Sequence, residues 1–517
     1  MAQPSVAKPS PALSFGQRST AAELKARGER IERPADHVRR EILRQLEVLR
    51  GHGASDDAAI QALFPHTILP TDVYRDLVTA LVAGAHVLFF GPSGAGKTSL
   101  AKDLWELFPK GAWVVNGCPV LDHPLSVCDP DMAAQFPPCP ICRRRFAPEG
   151  EVARFDPSRV DPSRVPAEYI QLREGYGLAR VQGSSEVFPD HLTGNINLRK
   201  LEEVGDPMSP LVLEPGKLLQ ANRGLLLVDE IGKLPLGTQN VLLQALQEGT
   251  VSPSKSRETF PAHFLAVCTS NLSDLDNIND PLSDRLTSLH IGFNTQHAAN
   301  RRIVELARTT TDSTRVPEIL WDAGVRVIES WRLRMSSDNP DIGEVGSNRT
   351  LIDVHGRAQA IATIAGRSIA TVEDLKAGLR HAMRGRIRAR SGDSYEQNEH
   401  RVDEFLGQHL EPCLKKSAGV YWCRFFRDVL HESKPNAEGL VSEGRRLKDD
   451  AAMRSQLASD GNLFPKFRPF VTYVSEREGG GSGASSLDTA IGVFDLLERF
   501  SLFTCGPEEL SDDRLGD

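Results

Sequence analysis

Between about residue 65 and about residue 295, short apolar runs alternate with helical stretches, a rhythm that predicts a parallel sheet covered on both faces. The runs that read as strands are HVLFF (86–90), AWVVN (112–116), LLLVDE (225–230), FLAVCTS (264–270) and LTSLHIGF (286–293). About 110 residues separate the second run from the third, more than one crossover needs, so an insertion is expected there. It opens on a cysteine cluster, passes through the near repeat FDPSRV and VDPSRV, and closes with QGSSEVFPDHLTGNINLRKLEEVG. After residue 296 helical spacing takes over. Leu351, Val354, Ala358, Ile361, Ala362 and Ala365 fall on one face, the pattern of simple core packing. TVED (371–374) offers a threonine cap with an acid three positions on. At the other end, residues 1–20 read as a flexible tail and Ala21 to Leu49 as a charged helical stretch. Beyond Arg390 the chain turns polar and uneven, and GGGSGASS (479–486) precedes a last apolar helix around Ile491 to Leu502.

Composition places this pattern in an ordinary soluble multidomain protein: 517 residues, 40% apolar and 25% charged. Lys plus Arg number 61 and Asp plus Glu 69, a formal charge of −8, which excludes a general basic coat for nucleic acid but not a local patch. Eight cysteines are too few for a secreted disulfide scaffold of this length. The first 20 residues carry Pro and Ser where a signal peptide needs an apolar run. The longest apolar stretch, Leu77 to Phe90, is interrupted by Thr79 and His86 and is too short to span a bilayer. A cytoplasmic location is the expectation.

The strongest chemical signal is GPSGAGKT directly after HVLFF, which fits the phosphate-loop pattern G-x-x-x-x-G-K-[ST]. Gly91, Gly94 and Gly96 let the backbone turn tightly, so that in the run Gly91, Pro92, Ser93, Gly94, Ala95, Gly96, Lys97, Thr98 and Ser99 successive N–H groups, with none at Pro92, point inward at the phosphates and the following helix adds its positive end. Lys97 is expected to reach the β- and γ-phosphates of ATP and the Thr98 hydroxyl to hold Mg²⁺. LLLVDE supplies the acids such a loop needs: Asp229 to order Mg²⁺ and Glu230 to polarise the attacking water. The pair predicts hydrolysis rather than nucleotide binding alone.

With these motifs in place, residues 65 to 390 resemble the AAA+ ATPases. The resemblance implies that Asn271, at the end of FLAVCTSN, is a first sensor that helps position the water. It implies that Arg285, in DPLSDRL, is an arginine finger reaching the nucleotide of the next subunit in a ring, and that Arg349, in GSNRTLIDVHGRAQAIA, is a second sensor. Within the superfamily, LTGNINLRKLEE followed by LEPGKLLQANRGLLLVDEIGKLP is similar to the helix-2-insert branch, which includes the magnesium chelatase ATPase subunit and the MoxR proteins. TVSPSKSRETFPAHFLAV resembles the hairpin that precedes the first sensor there, and the run from Asn348 to Arg388 resembles the lid. The expected fold is therefore α/β, a P-loop AAA+ core with a parallel sheet, followed by an all-α lid and a mostly helical extension. The boundaries that follow are 1–65 for the tail and helical segment, 66–295 for the core, 296–390 for the lid and 391–517 for the extension. Within the core, 118–190 is the cysteine-containing insert and 191–215 the helix-2-type insert.

GCPVLDHPLSVCDP followed by CPICRRRF resembles cysteine elements of both chelatase-type ATPases and PrkA-type proteins. From spacing alone, Cys139 and Cys142 can present two thiolates to one ion, and Cys118 and Cys128 can complete a tetrahedral Zn²⁺ site with His123 in reserve. Buried free thiols, a redox pair or the remnant of an older site are the alternatives. The basic run Arg380, Arg384, Arg386, Arg388 and Arg390 lacks interleaved aromatic residues, so a solvated lid surface or subunit contact is a better account of it than nucleic acid.

The leading expectation is a ring-forming ATPase, hexameric by family resemblance, that uses ATP and Mg²⁺ to remodel a protein partner. In the resembled families that partner often carries a von Willebrand A domain, and with no D-x-S-x-S in this sequence it would be a separate chain. The alternatives are a PrkA-type regulatory ATPase with serine protein kinase activity, or a nucleic-acid-directed motor.

Overall fold

The computed structural model describes residues 13–253, 256, 258–307, 314–336, 346–384, 386, 394–431, 434–450, 452–454, 463–478 and 484–504. The chain divides into two compact units, Met1–Gly292 and Phe293–Asp517. The strands all lie in the first: β1 (Arg18–Thr20), β2 (His86–Phe90), β3 (Gly111–Val115), β4 (Pro166–Gln171), β5 (Arg173–Glu174), β6 (Gly177–Gln182), β7 (Gly194–Ile196), β8 (Leu213–Pro215), β9 (Leu225–Asp229), β10 (Thr250–Val251), β11 (Phe260–Pro261), β12 (Leu265–Ser270) and β13 (Leu286–His290).

Six of them form a parallel sheet in the order β13-β2-β12-β9-β6-β5. The apolar runs sit at its centre because both faces are covered: all six residues of β12 are buried, as are four of five in β9. Register sets the ends level. Ser270 pairs with Phe90, Leu265 with Leu225, and Gln182 with Asp229, so the loops after β2, β12, β9 and β6 emerge at one edge of the sheet. In open α/β sheets that carboxyl edge is where ligands bind.

One strand assignment is overturned. AWVVN does form a strand, β3, but it pairs antiparallel with β4 in a separate three-stranded sheet, β1-β4-β3. The place beside β9 is taken by β6, GLARVQ, from within the expected insert. Its outward positions are polar, which broke the apolar run that buried strands show. The amino-terminal tail also begins its order earlier than expected: Arg18–Thr20 are β1, whereas residues 1–12 lie outside the described residues. Ala21 to Leu49 splits into two helices, Ala21–Ala26 and Pro34–Gly51, the second opened by proline and buried through Val38, Ile42 and Leu46. Both later inserts form antiparallel strand pairs, β7 with β8 and β10 with β11.

In the second unit, helices follow one another from His297–Ala307 to Ala484–Arg499. Leu351, Val354, Ala358 and Ala362 of the expected stripe are buried in the helix Asn348–Ile364, while Ala365 ends it and is exposed. Thr371 and Asp374 make the full capping box of the helix Val372–Met383. One continuous apolar core runs from Val304 through Trp331 and Leu379 to Phe405, Trp422, Phe470 and Phe494, so residues beyond 391 pack with the helices that precede them. The basic run is paired off where it is described: Arg380 with Asp403, Arg384 with Glu399, and Arg386 with Thr350 and Asp353. Arg388 and Arg390 lie outside the described residues. No helix among the described residues is long and apolar enough to cross a membrane.

This core also encloses charge. Glu318 accepts from Arg301 and Arg477, and Asp322 from Arg301, Arg326, Ser417 and His297. Burial works against a charge on His297, but its contacts with Asp322 and Glu329, each at 2.9 Å, outweigh this and raise its pKa. The folded state then holds a proton the unfolded chain releases. The stabilisation is complete below the ordinary histidine value of about 6.5 and is lost as pH rises through the raised one. Thermal unfolding compared at about pH 6 and about pH 8 is expected to show a smaller loss of stability for His297→Gln than for the wild type.

Candidate functional site

The loop Gly91-Pro92-Ser93-Gly94-Ala95-Gly96 leaves β2 with positive φ at its three glycines, +149°, +75° and +108°. At Gly91 nothing else fits, since a Cβ would stand 2.2 Å from the Ile291 carbonyl oxygen. Gly96 caps the helix Lys97–Glu106, and the space on its Cβ side is open for 4 Å. Amides at the amino end of a ten-residue helix therefore face a cradle suited to an anion. Lys97 is buried, and its ammonium donates to the carbonyls of Gly91 (2.7 Å) and Pro92 (2.9 Å) and to Asn271 Oδ1 (3.3 Å). Thr98 Oγ1, in the first turn beside exposed Ser99, donates to Asp229 Oδ1 at 3.4 Å.

The acids sit at the end of β9, with β12 between it and β2. Asp229, at the end of β9, also accepts from Thr269 Oγ1 (3.2 Å) and from Arg180 Nε (3.0 Å). Glu230 leaves the strand at φ +55°, a left-handed conformation that is rare for a residue with a side chain and common at functional sites. The turn is held by its N–H, which donates to Thr269 Oγ1 at 3.0 Å. Gly183 permits the approach, because a Cβ there would fall 2.0 Å from the Glu230 carbonyl oxygen. Three side chains converge on the Glu230 carboxylate: Lys233 at 2.9 Å, Gln182 Nε2 at 3.0 Å and Asn271 Nδ2 at 3.4 Å. The Lys233 bond, above all, lowers its pKa, so the group is ionised at neutral pH.

Lys97, Thr98, Asp229, Glu230 and Asn271 are thus joined in one hydrogen-bonded group. Sequence reasoning missed Arg180, Gln182, Lys233 and Thr269. Arg180 and Gln182 stand two apart on β6, hence on one face, and the alternation in GLARVQ was the available signal. The two arginines expected to act on nucleotide are both exposed: Arg285 between the helix Asp280–Ser283 and β13, and Arg349 in the first turn of Asn348–Ile364 in the second unit.

A glycine loop after β2, a lysine and hydroxyl at its helix, and an acid pair at the end of β9 in the same parallel sheet decide the fold. The chain has an AAA+ core. Residues 82–318 match the PrkA AAA domain family. Serine/threonine kinase YeaG of Escherichia coli strain K12 is 25% identical over 254 residues, 44% of this chain and 38% of YeaG. The chloroplastic magnesium-chelatase subunit ChlI of Oryza sativa subsp. indica is 25% identical over 340 residues, 62% of this chain and 74% of that subunit. The magnesium-chelatase 38 kDa subunit of Acidiphilium rubrum is 31% identical over 216 residues, 41% of this chain and 53% of that subunit. The match to YeaG therefore leaves more than half of YeaG's length uncovered. The AAA+ core resembles that of magnesium chelatase and carries PrkA-like features.

The donor set of the AAA+ core suits a nucleotide with Mg²⁺: backbone amides and a cation for phosphate, a hydroxyl beside a carboxylate for the metal. The cysteine expectation needs one correction. Cys118, Cys139 and Cys142 come together, but the fourth group beside them is Asp122, not Cys128. Cys128 ends the short helix Pro124–Cys128, and its thiol donates to the Pro124 carbonyl. His123 is also engaged elsewhere, its Nδ1 accepting from the Leu125 N–H at 3.1 Å.

Proposed function

We propose that the AAA+ core binds ATP with Mg²⁺ and hydrolyses it to drive rearrangement of a protein partner, as in the MoxR and magnesium chelatase ATPases. The observation that carries this reading is the hydrogen-bonded group of Lys97, Thr98, Asp229, Glu230 and Asn271 at the carboxyl edge of the sheet. Gly91 to Ser99 would wrap the phosphates, with Lys97 turning its three donors from the Gly91 and Pro92 carbonyls to phosphate oxygens. Thr98 and Asp229 would hold Mg²⁺, which supplies charge neutralisation between the phosphates. Glu230, kept ionised by Lys233, orients a water and accepts its proton, while Asn271 lies between that carboxylate and Lys97.

A homo-oligomeric ring follows from the role proposed for Arg285, which would stabilise charge on the phosphoryl group bound by a neighbouring subunit, with Arg349 acting as the second sensor. Arg285→Ala is expected to lose ATP hydrolysis and to regain part of it when mixed with Lys97→Ala subunits, since each would supply what the other lacks. Phosphate release that stays at the sum of the separate variants, under conditions where labelled subunits exchange, would remove Arg285 from this role. A separate von Willebrand A domain protein is the proposed partner, testable by co-purification. The second reading, a PrkA-type serine protein kinase, is favoured by the PrkA AAA domain match and the YeaG relative. It requires transfer of the terminal phosphate to protein.

A further inference from the structure

We propose that Cys118, Asp122, Cys139 and Cys142 form a Cys₃Asp zinc centre that locks the insert onto the segment leading into the acidic strand β9. All four side chains are buried, and one ligand atom from each lies within 4.8 Å of every other. The sulfurs of Cys118 and Cys139 stand 3.8 Å apart. That is the edge of a tetrahedron with metal–sulfur bonds of about 2.3 Å, and far from the roughly 2.05 Å of a disulfide.

The backbone is arranged around the cluster as it is around thiolate ligands. The Cys142 N–H donates to Cys139 Sγ and the Asp122 N–H to Cys118 Sγ, each at 3.4 Å. The Cys139 N–H donates to Asp122 Oδ2 at 2.7 Å, fixing the carboxylate that faces the sulfurs. Such outer bonds orient ligands and spread their charge. Three thiolates and a carboxylate on Zn²⁺ leave two negative charges in a buried place, which costs several kcal/mol per ion unless compensated. Arg223 supplies a cation near Asp122 and Cys118, and its Nε is buried with no hydrogen-bond partner.

The position gives the centre its role. Four protein ligands leave no open coordination site, so the ion is structural. The first ligand arm, Cys118 to Asp122, is bonded to the two residues that precede Gly224 and β9. Asn222 Nδ2 donates to the Val120 carbonyl (2.6 Å), and the Arg223 guanidinium donates to the carbonyls of Leu121 (3.3 Å) and Trp113 (2.6 Å). The second arm enters through Cys139, which caps the helix Pro140–Phe146. Zinc would join both arms of the insert to the start of the strand that ends in Asp229.

The test is metal analysis of the full-length chain purified without added zinc. The proposal expects about one zinc per chain in the wild type and in Cys128→Ser, and about a tenth of that or less in Cys139→Ser and Asp122→Ala. Loss of zinc from Cys128→Ser with retention in Asp122→Ala would overturn the ligand set, and a zinc-free wild type would overturn the centre. X-ray absorption of the zinc in the wild-type chain decides the matter even where a variant fails to fold. Three sulfurs at about 2.3 Å and one oxygen at about 2.0 Å are expected. A shell of four sulfurs would contradict Asp122.

Discussion

Glu230→Gln is expected to slow steady-state ATP hydrolysis by about 100-fold or more, the usual scale for loss of a general base. ATP affinity should stay near that of the wild type. The side chain keeps its shape and its contacts with Gln182 and Asn271 can be remade by an amide, but an amide does not take a proton from water at neutral pH. Binding rests on other groups, namely the glycine loop and Lys97, which Glu230 does not touch in the hydrogen-bonded group. Phosphate release measured beside equilibrium nucleotide titration separates the two effects. A glutamine variant that hydrolyses at the wild-type rate would take Glu230 out of the chemistry.

Lys97→Ala should act earlier, on binding itself. The ammonium is buried at the mouth of the loop and has two carbonyls and one amide oxygen as partners. Charge-assisted bonds are worth about 1.5–3 kcal/mol each, so the loss of two phosphate contacts predicts an ATP affinity weaker by more than about 100-fold. Calorimetric titration of the variant measures this directly. Affinity equal to the wild type would mean that nucleotide is held elsewhere.

The contiguous motifs were legible because their chemistry and their backbone geometry are written in adjacent residues. GPSGAGKT carries its own turn, and LLLVDE carries its own burial. What lay across strands was not legible. Arg180 and Gln182 reach the acids only through the register of β6 on β9, and β6 hides in the sequence because these two polar residues interrupt its apolar run. AWVVN misled for the opposite reason. Its four buried apolar residues, Ala112 to Val115, record burial, which a small antiparallel sheet provides as well as a large parallel one. Cysteine spacing named three of the four clustered groups, but a helical turn gives the Cys128 thiol to Pro124, and the aspartate that replaces it carries no spacing signal. In the second unit, Glu318 and Asp322 are buried acids, and the partners Arg301, Arg477 and His297 that allow this come from other helices and carry no local signal. The 34-residue helix Tyr395–Asp428 runs through Pro412, although proline in a helix interior removes a hydrogen bond.

The central claim is that the terminal phosphate of ATP goes to water. Incubating the wild-type full chain with Mg²⁺ and ATP labelled in that phosphate, alone and with candidate protein substrates, follows its fate in one measurement. The account predicts Mg²⁺-dependent release of labelled inorganic phosphate well in excess of label on protein. Label that passes to serine or threonine without matching phosphate release, or ATP that stays intact, would contradict it.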